Sequence, residues 1–399
     1  MVPLDERVVR TVAGILIALL LGLGGAASAQ PAPLRIDVIT SDTGSFAFIG
    51  ARSDESLKIL QTTVNASGGI NGRPLQFVFW DDQSSPVVAV QLANAAIARG
   101  AQIILGPLSG AACAAVVPLA ATAGPLNYCL SPVVTGPPGS YVFTTGAGTA
   151  ANNVAMVRFF RNENWRRIAI LAANDASCTG GEHDIDAALA LPENREMHVV
   201  AREHFAPNDI SIAAQVAQIK AAKAQAILTC ASGSIFGAVV HALHDSGLDI
   251  PTSGSAASMV YDQLKAYGSV LPRNLFFATL RGFIPDPQIG KGPIKDNQDR
   301  FFAAFRAARV RPEYQDAFVW DPGMIVVDAL RHAGPNPTAA AMHAYIEGLR
   351  SWAGIAGIYY FSDNSQRGIT GSALQIVRWE GTRSAFSVAQ APGRLPFKR

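Results

Sequence analysis

The chain alternates between two hydrophobic periods. Short apolar runs rich in branched and aromatic residues read as strands, and stretches with apolar positions three and four apart read as helices. Strands are expected at Leu34–Thr40, Leu75–Trp80, Gln102–Leu105 and Leu126–Leu130, separated by helices at Ser53–Val64, Val87–Ala98 and Ala111–Ala123. A Pro/Gly-rich stretch, Pro132–Gly148, carries one short strand pattern at Tyr141–Thr144. A second series follows, with helices at Asn152–Arg161, Glu182–Leu189, Ile210–Ala222 and Ile235–Asp245 and strands at Arg167–Ala172, His198–Phe205 and Ala226–Cys230. A strand at Leu275–Thr279, helices at Asn297–Ala307, Pro322–Ala333 and Thr338–Leu349, and strands at Ile358–Phe361 and Ser372–Arg378 close the pattern. Such alternation across short connections predicts an α/β fold with doubly wound parallel sheets covered on both faces.

The segment before Leu34 is a targeting signal. Arg7 and Arg10 form a positive region, Val12–Leu23 an apolar one, and Ala27-Ser28-Ala29 a small-residue cleavage site. The apolar run falls short of the roughly 20 residues that span a bilayer, and Gly22, Gly24 and Gly25 break its end. Cleavage leaves a soluble exported chain starting at Gln30, with no membrane insertion. The formal net charge is +2 and no dense Lys/Arg run is present, so nucleic acid and anionic membrane are not suggested partners. The mature chain is long enough for two domains of ~100–200 residues each.

Export places Cys113, Cys129, Cys178 and Cys230 where disulfides persist. Their spacing matches no zinc pattern. Cys113 falls in the first turns of a helix and Cys129 in the next strand; Cys178 and Cys230 fall at strand ends. Pairing as 113–129 and 178–230 is one of three connectivities, and four buried thiols are the alternative.

In a doubly wound sheet, ligands bind beyond the carboxyl ends of the strands, where loops lead into helix N-termini. Gly106-Pro-Leu-Ser109-Gly110-Ala111 lies there. Ser109 can cap the following helix, and Gly110 leaves the backbone open to a ligand carboxylate. Taken alone, the pattern favours a cap.

The turn Gly68-Gly-Ile-Asn-Gly-Arg73, set between a helix and the strand ending on Asp81-Asp82, carries a family likeness. With the order of elements, it resembles the periplasmic solute-binding proteins of the branched-chain amino-acid (Leu/Ile/Val-binding) type. The resemblance covers nearly the whole mature chain. It implies two lobes joined by three crossovers, near Thr145–Ala150, Phe277–Phe283 and Trp352–Gly357, with the ligand between them. Residues 30–147 and 280–353 would form lobe 1, and residues 148–279 and 354–399 lobe 2. It favours a ligand role for Ser109, Gly110 and Ala111. Ser131-Pro-Val-Val-Thr135 resembles the family's Ser-Pro-x-x-Thr segment, which implies that Ser131, Val133 and Thr135 hold the α-amino and α-carboxylate groups. The loop Thr40–Gly50 resembles the family's opening Thr-Gly segment, with Phe46 and Ile49 as an apolar wall; both are equally ordinary core residues.

Departures from the family point to the ligand. Gly110 stands where amino-acid-binding relatives use a serine, and Thr179 and Ser232 stand in place of second-lobe tyrosines. The stretch Thr252–Val260 lacks the acid that pairs with a ligand ammonium. Leaving such an ammonium unpaired costs at least ~2–5 kcal/mol. Asp175 is the one nearby acid, and an Asx-turn accounts for it equally well. The expected ligand therefore has a carboxylate or amide end without an α-ammonium: aromatic acids first, branched-chain amino acids next, short amides or urea third.

Other motifs have plainer readings. His241 and His244 beside Asp245 form a solvated helix face. Asp321-Pro322 reads as an N-cap with proline at the first helical position. Asn65-Ala-Ser matches a glycosylation acceptor and carries no weight in a chain with a bacterial-type leader. Arg281 sits near the second crossover. No nucleophile elbow, phosphate-binding loop or His-Glu-x-x-His motif is present, and no cofactor is implied. The reading is the periplasmic binding component of an ABC importer, not an enzyme, with a small-molecule solute and membrane permease and ATPase subunits as partners. An exported sensor module signalling to a membrane receptor is the alternative.

Overall fold

Leu34–Thr40 (β1) pairs in parallel with Leu75–Asp81 (β2) on one side and Ile103–Leu105 (β3) on the other. The computed structural model describes residues 31–174, 176–231, 234–285, 289–361 and 365–392. Leu126–Cys129 (β4) and Val142–Thr144 (β5) extend this first, all-parallel sheet in the order β2-β1-β3-β4-β5. β3, β4 and β5 are buried along their whole length, which is why they read as unbroken apolar runs. Helices Ala47–Ala66 (α1), Pro86–Ala98 (α2) and Gly110–Ala120 (α3) form the crossovers between these strands.

The second sheet has the order β14-β13-β10-β9-β8-β6-β7. Its parallel part is Arg167–Ala173 (β6), His198–Phe205 (β7), Ala226–Cys230 (β8), Thr252–Gly254 (β9) and Leu275–Leu280 (β10). Leu374–Glu380 (β13) and Ala385–Gln390 (β14) add to it antiparallel. Thr149–Asn162 (α4), Ala176–Leu189 (α5), Ala213–Ala221 (α6), Ser234–Asp245 (α7) and Tyr261–Tyr267 (α8) belong to this series. Pro293–Ala308 (α9), Tyr314–Ala333 (α10) and Ala339–Glu347 (α11) follow β10, and α10 packs on α1 of the first lobe.

The Gly68–Arg73 turn closes this first lobe. Gly68, Gly69, Asn71 and Gly72 all have positive φ, and a Cβ on Gly69 would lie 2.2 Å from the Arg73 carbonyl. Asn71 donates to the Arg331 carbonyl at 3.1 Å and Arg73 to that of Pro335 at 3.1 Å, so the turn is tied to the end of α10. Asn65 donates to the Leu75 carbonyl at 2.9 Å and accepts from its N–H at 2.7 Å, pinning the start of β2.

Asp321 and Pro322 do not start a helix. α10 begins at Tyr314, where Glu313 and Asp316 form a reciprocal capping box, and Pro322 sits in its interior. The missing proline N–H leaves the Phe318 carbonyl without its helical donor, and the Thr145 hydroxyl donates to it at 2.9 Å. Asp321 is buried and accepts from the N–H groups of Ile355 (2.9 Å) and Ala356 (3.0 Å) and from the Tyr359 hydroxyl (3.1 Å). Burial raises its pKa to about 6 against the pull of these donors.

These bonds fasten the hairpin Trp352–Ala353 (β11) and Ile358–Tyr359 (β12) to the helices of the first lobe. Trp352 donates to Asp328 and Asn297 to the Ala353 carbonyl in the same sense. Residues 352–357, expected to form the third crossover, are thus held within that lobe. Thr252–Gly254 forms a strand in which the Phe277 ring packs where a Gly254 side chain would be. Cys178 lies in the first turns of α5 rather than at a strand end.

Candidate ligand cleft

Strand order reverses between β1 and β3 in the first sheet and between β6 and β8 in the second. The loops beyond these carboxyl ends are where a doubly wound sheet accepts a ligand.

After β1, Asp81 fixes the first loop by accepting from the N–H groups of Asp42 (2.8 Å) and Thr43 (3.2 Å) and from the Thr43 hydroxyl (2.7 Å). The Phe46 N–H donates to the Ser84 hydroxyl at 3.0 Å. Phe46 is half-buried at the rim. Ile49 packs against the core, and its neighbour Phe48 is the exposed aromatic, at 45%.

After β3, the buried Ser109 caps α3, its hydroxyl accepting from the Ala112 N–H at 3.1 Å. A Cβ on Gly110 would lie 2.9 Å from the Cβ of Val133, so glycine there admits the neighbouring loop. Val133, rather than a ligand carboxylate, occupies the space beside the Gly110 Cα. Ala111 is exposed in the first turn of α3.

After β4, Ser131 is buried and its hydroxyl accepts weakly from the Val133 N–H at 3.4 Å. Its carbonyl accepts from the Thr144 hydroxyl at 2.7 Å. Val133 is 54% exposed. Thr135 is exposed, and its hydroxyl accepts from Arg367 Nη2 at 2.6 Å and Nε at 3.0 Å.

Each lobe carries one disulfide beside these loops. Cys113–Cys129 joins the start of α3 to the end of β4, bracketing the two loops that meet at Gly110 and Val133. Cys178–Cys230 joins the start of α5 to the end of β8, on both sides of the second reversal. A second link runs between the lobes. The Arg311 guanidinium lies 3.6 Å from the centre of the Tyr261 ring and donates to the Ser384 carbonyl at 3.1 Å. Arg52 holds this loop by donating to the Arg311 carbonyl at 2.6 Å and to the buried Asp316.

A family description, periplasmic binding protein, matches residues 33–384. The chain belongs to the periplasmic binding protein family. Over 91 residues it is 37% identical to the Leu/Ile/Val-binding protein homolog 4 of Brucella abortus, a match that spans 23% of this chain and 22% of that protein. In solved structures, an extracellular ligand-binding receptor from Rhodopseudomonas palustris aligns with a TM-score of 0.75 at 16% identity, covering 90% of this chain and all of that one. The branched-chain amino acid transporter substrate-binding protein of Streptococcus pneumoniae, solved with isoleucine, aligns with a TM-score of 0.72 at 18% identity, covering 90% and 99%. At such identities these likenesses show the two-lobed fold.

Within this binding protein, Ser109, Gly110, Ala111, Ser131, Val133 and Thr135 come together at the carboxyl end of the first sheet. Thr179 is exposed in the first turns of α5. Asp175 and Ser232 lie outside the described residues. In the loop after β9, Ser255 caps a single turn by accepting from the Ala257 N–H at 3.3 Å, and residues 255–260 contain no acid. Arg367 carried no signal in the sequence: it is one of several basic residues in the C-terminal segment, 232 positions from Thr135. The groups found here are hydroxyls, helix N–H groups, a guanidinium and an aromatic side chain, chemically suited to polar and apolar parts of a small molecule.

Proposed function

We propose that this protein is the periplasmic substrate-binding component of an ABC importer, closing two lobes on a small solute with a carboxylate end. The observation that supports the carboxylate is the set of donors at the carboxyl end of the first sheet, the Thr135 hydroxyl held by Arg367 and the N-terminus of α3. The absence of an acid in residues 252–260 supports a ranking with aromatic carboxylates first. The isoleucine held by the Streptococcus pneumoniae protein keeps branched-chain amino acids second, and short amides or urea follow. Export by the leader, closure on the solute and delivery to permease and ATPase subunits complete the reading. Ligand shifts the open–closed population only through its differential affinity for the closed form.

A thermal-shift screen of the mature protein against benzoates, cinnamates, aliphatic amino acids, short amides and urea tests this. Stabilisation by one carboxylate class, with the compound recovered unchanged, is expected. No stabilisation by any carboxylate, or recovery of an altered compound, would overturn it.

A further inference from the structure

The Gln366 carbonyl accepts from the Thr144 N–H at 2.8 Å, and the Gln366 side chain donates to the Ser140 carbonyl at 2.7 Å. These bonds lay the segment along the edge of β5 and set the Arg367 guanidinium between two stretches of the first lobe. Nη2 donates to the carbonyls of Pro132 (2.8 Å) and Val134 (3.2 Å), and Nη1 to those of Thr145 (3.2 Å) and Gly146 (3.3 Å). With the two bonds to Thr135, the hydrogen-bond partners of Arg367 among the described residues are neutral. Burial lowers its pKa while Tyr128 opposes the shift, and a guanidinium stays charged regardless.

We infer that Arg367 makes this site select a carboxylate unaccompanied by an ammonium, by fixing the Thr135 hydroxyl as a donor. The inference rests on the reading of Ser131–Thr135 as a ligand loop. A hydroxyl has two acceptor positions and one proton. Arg367 fills both acceptor positions of Thr135, so this exposed group has only its O–H to offer a ligand. An ammonium has donors and no acceptor, and several of the loop's acceptors are engaged by the protein itself. The carbonyls of Pro132 and Val134 accept from Arg367, and those of Ser131 and Val134 share the single Thr144 hydroxyl proton. The chain's own cation stands where a ligand's cation would need to dock. Its charge, half-buried and bonded to neutral groups among the described residues, favours an anion and repels an ammonium. Arg367 is a positioning residue for Thr135 and the local source of positive field.

The test uses pairs that differ only in the ammonium: isoleucine against 3-methylpentanoate, and phenylglycine against phenylacetate. Titration calorimetry on the mature wild type, Arg367→Gln, Thr135→Val and Thr135→Ser gives the preference ratio within each pair. A structural staple alone would weaken both members together and leave the ratio unmoved. We expect the wild type to favour the acid lacking an ammonium by about tenfold or more in at least one pair. Arg367→Gln should shrink that ratio, Thr135→Val should weaken the acid, and Thr135→Ser should keep it. If Arg367→Gln fails to fold, the two Thr135 variants decide. A wild type that prefers the amino acid, or a ratio unchanged in the variants, overturns the inference and leaves the binding-protein reading standing. Failure of all four probes and of every carboxylate in the thermal screen overturns both.

Discussion

Asp54 is buried on α1 beneath the end of β1, beside Thr40. Burial, with the like charge of Asp42, raises its pKa to about 7, although Thr40 and Lys58 pull the other way. A carboxyl raised in the folded state holds its proton while the unfolded chain has released it. Its stabilising contribution is complete below the ordinary carboxylate pKa of about 3.9 and is lost as pH rises through about 7. The wild type should therefore resist urea better at pH 5 than at pH 8, and Asp54→Asn should show a smaller difference between the two. Parallel pH dependence in wild type and variant would contradict this. Single residues were legible where their partners are near in sequence. Ser109 reads as a cap because its acceptor role needs only the N–H three residues on. Thr135 reads as a free hydroxyl because the residue that occupies it arrives from the tail, and Ile49 reads as a wall because its core contacts are equally distant.

Elements were most legible where burial makes composition uniform. Ala226–Cys230 falls where its apolar run places it, since a strand covered on both faces is nearly apolar throughout, whereas His198–Phe205 is a largely exposed edge strand that carries Arg202 and Glu203. The extent of β9 carries no apolar signal because Thr252, Ser253 and Gly254 are small or polar and are satisfied inside the sheet; Ser253 accepts from the Thr229 N–H at 3.1 Å. α10 was started too late because Asp-Pro is a local start signal, whereas its actual roles are set by other segments. The Thr145 hydroxyl replaces the donor that Pro322 lacks, so Thr145→Val should cost about 1–3 kcal/mol by leaving the buried Phe318 carbonyl unsatisfied. Thr145→Ser should recover most of that. Equal urea midpoints for wild type and Thr145→Val would show that the carbonyl has another partner.

At the scale of the whole molecule, the two sheets followed from alternation plus the family likeness. The third crossover did not, because β11 and β12 look like a strand pair leading onward while Asp321, Asp328 and Asn297 hold them to the first lobe. The cation–π contact of Arg311 with Tyr261 adds a second link across the lobes, apart from the chain passages. Two bodies joined this way can close about a solute, and closure is the step on which the proposed transport role depends. Small-angle X-ray scattering of ligand-stripped mature protein, titrated with the carboxylate that most raises its melting temperature, tests this most directly. The account predicts that the radius of gyration falls in step with saturation at one ligand per chain. Saturation with an unchanged radius would contradict closure of the lobes on the solute.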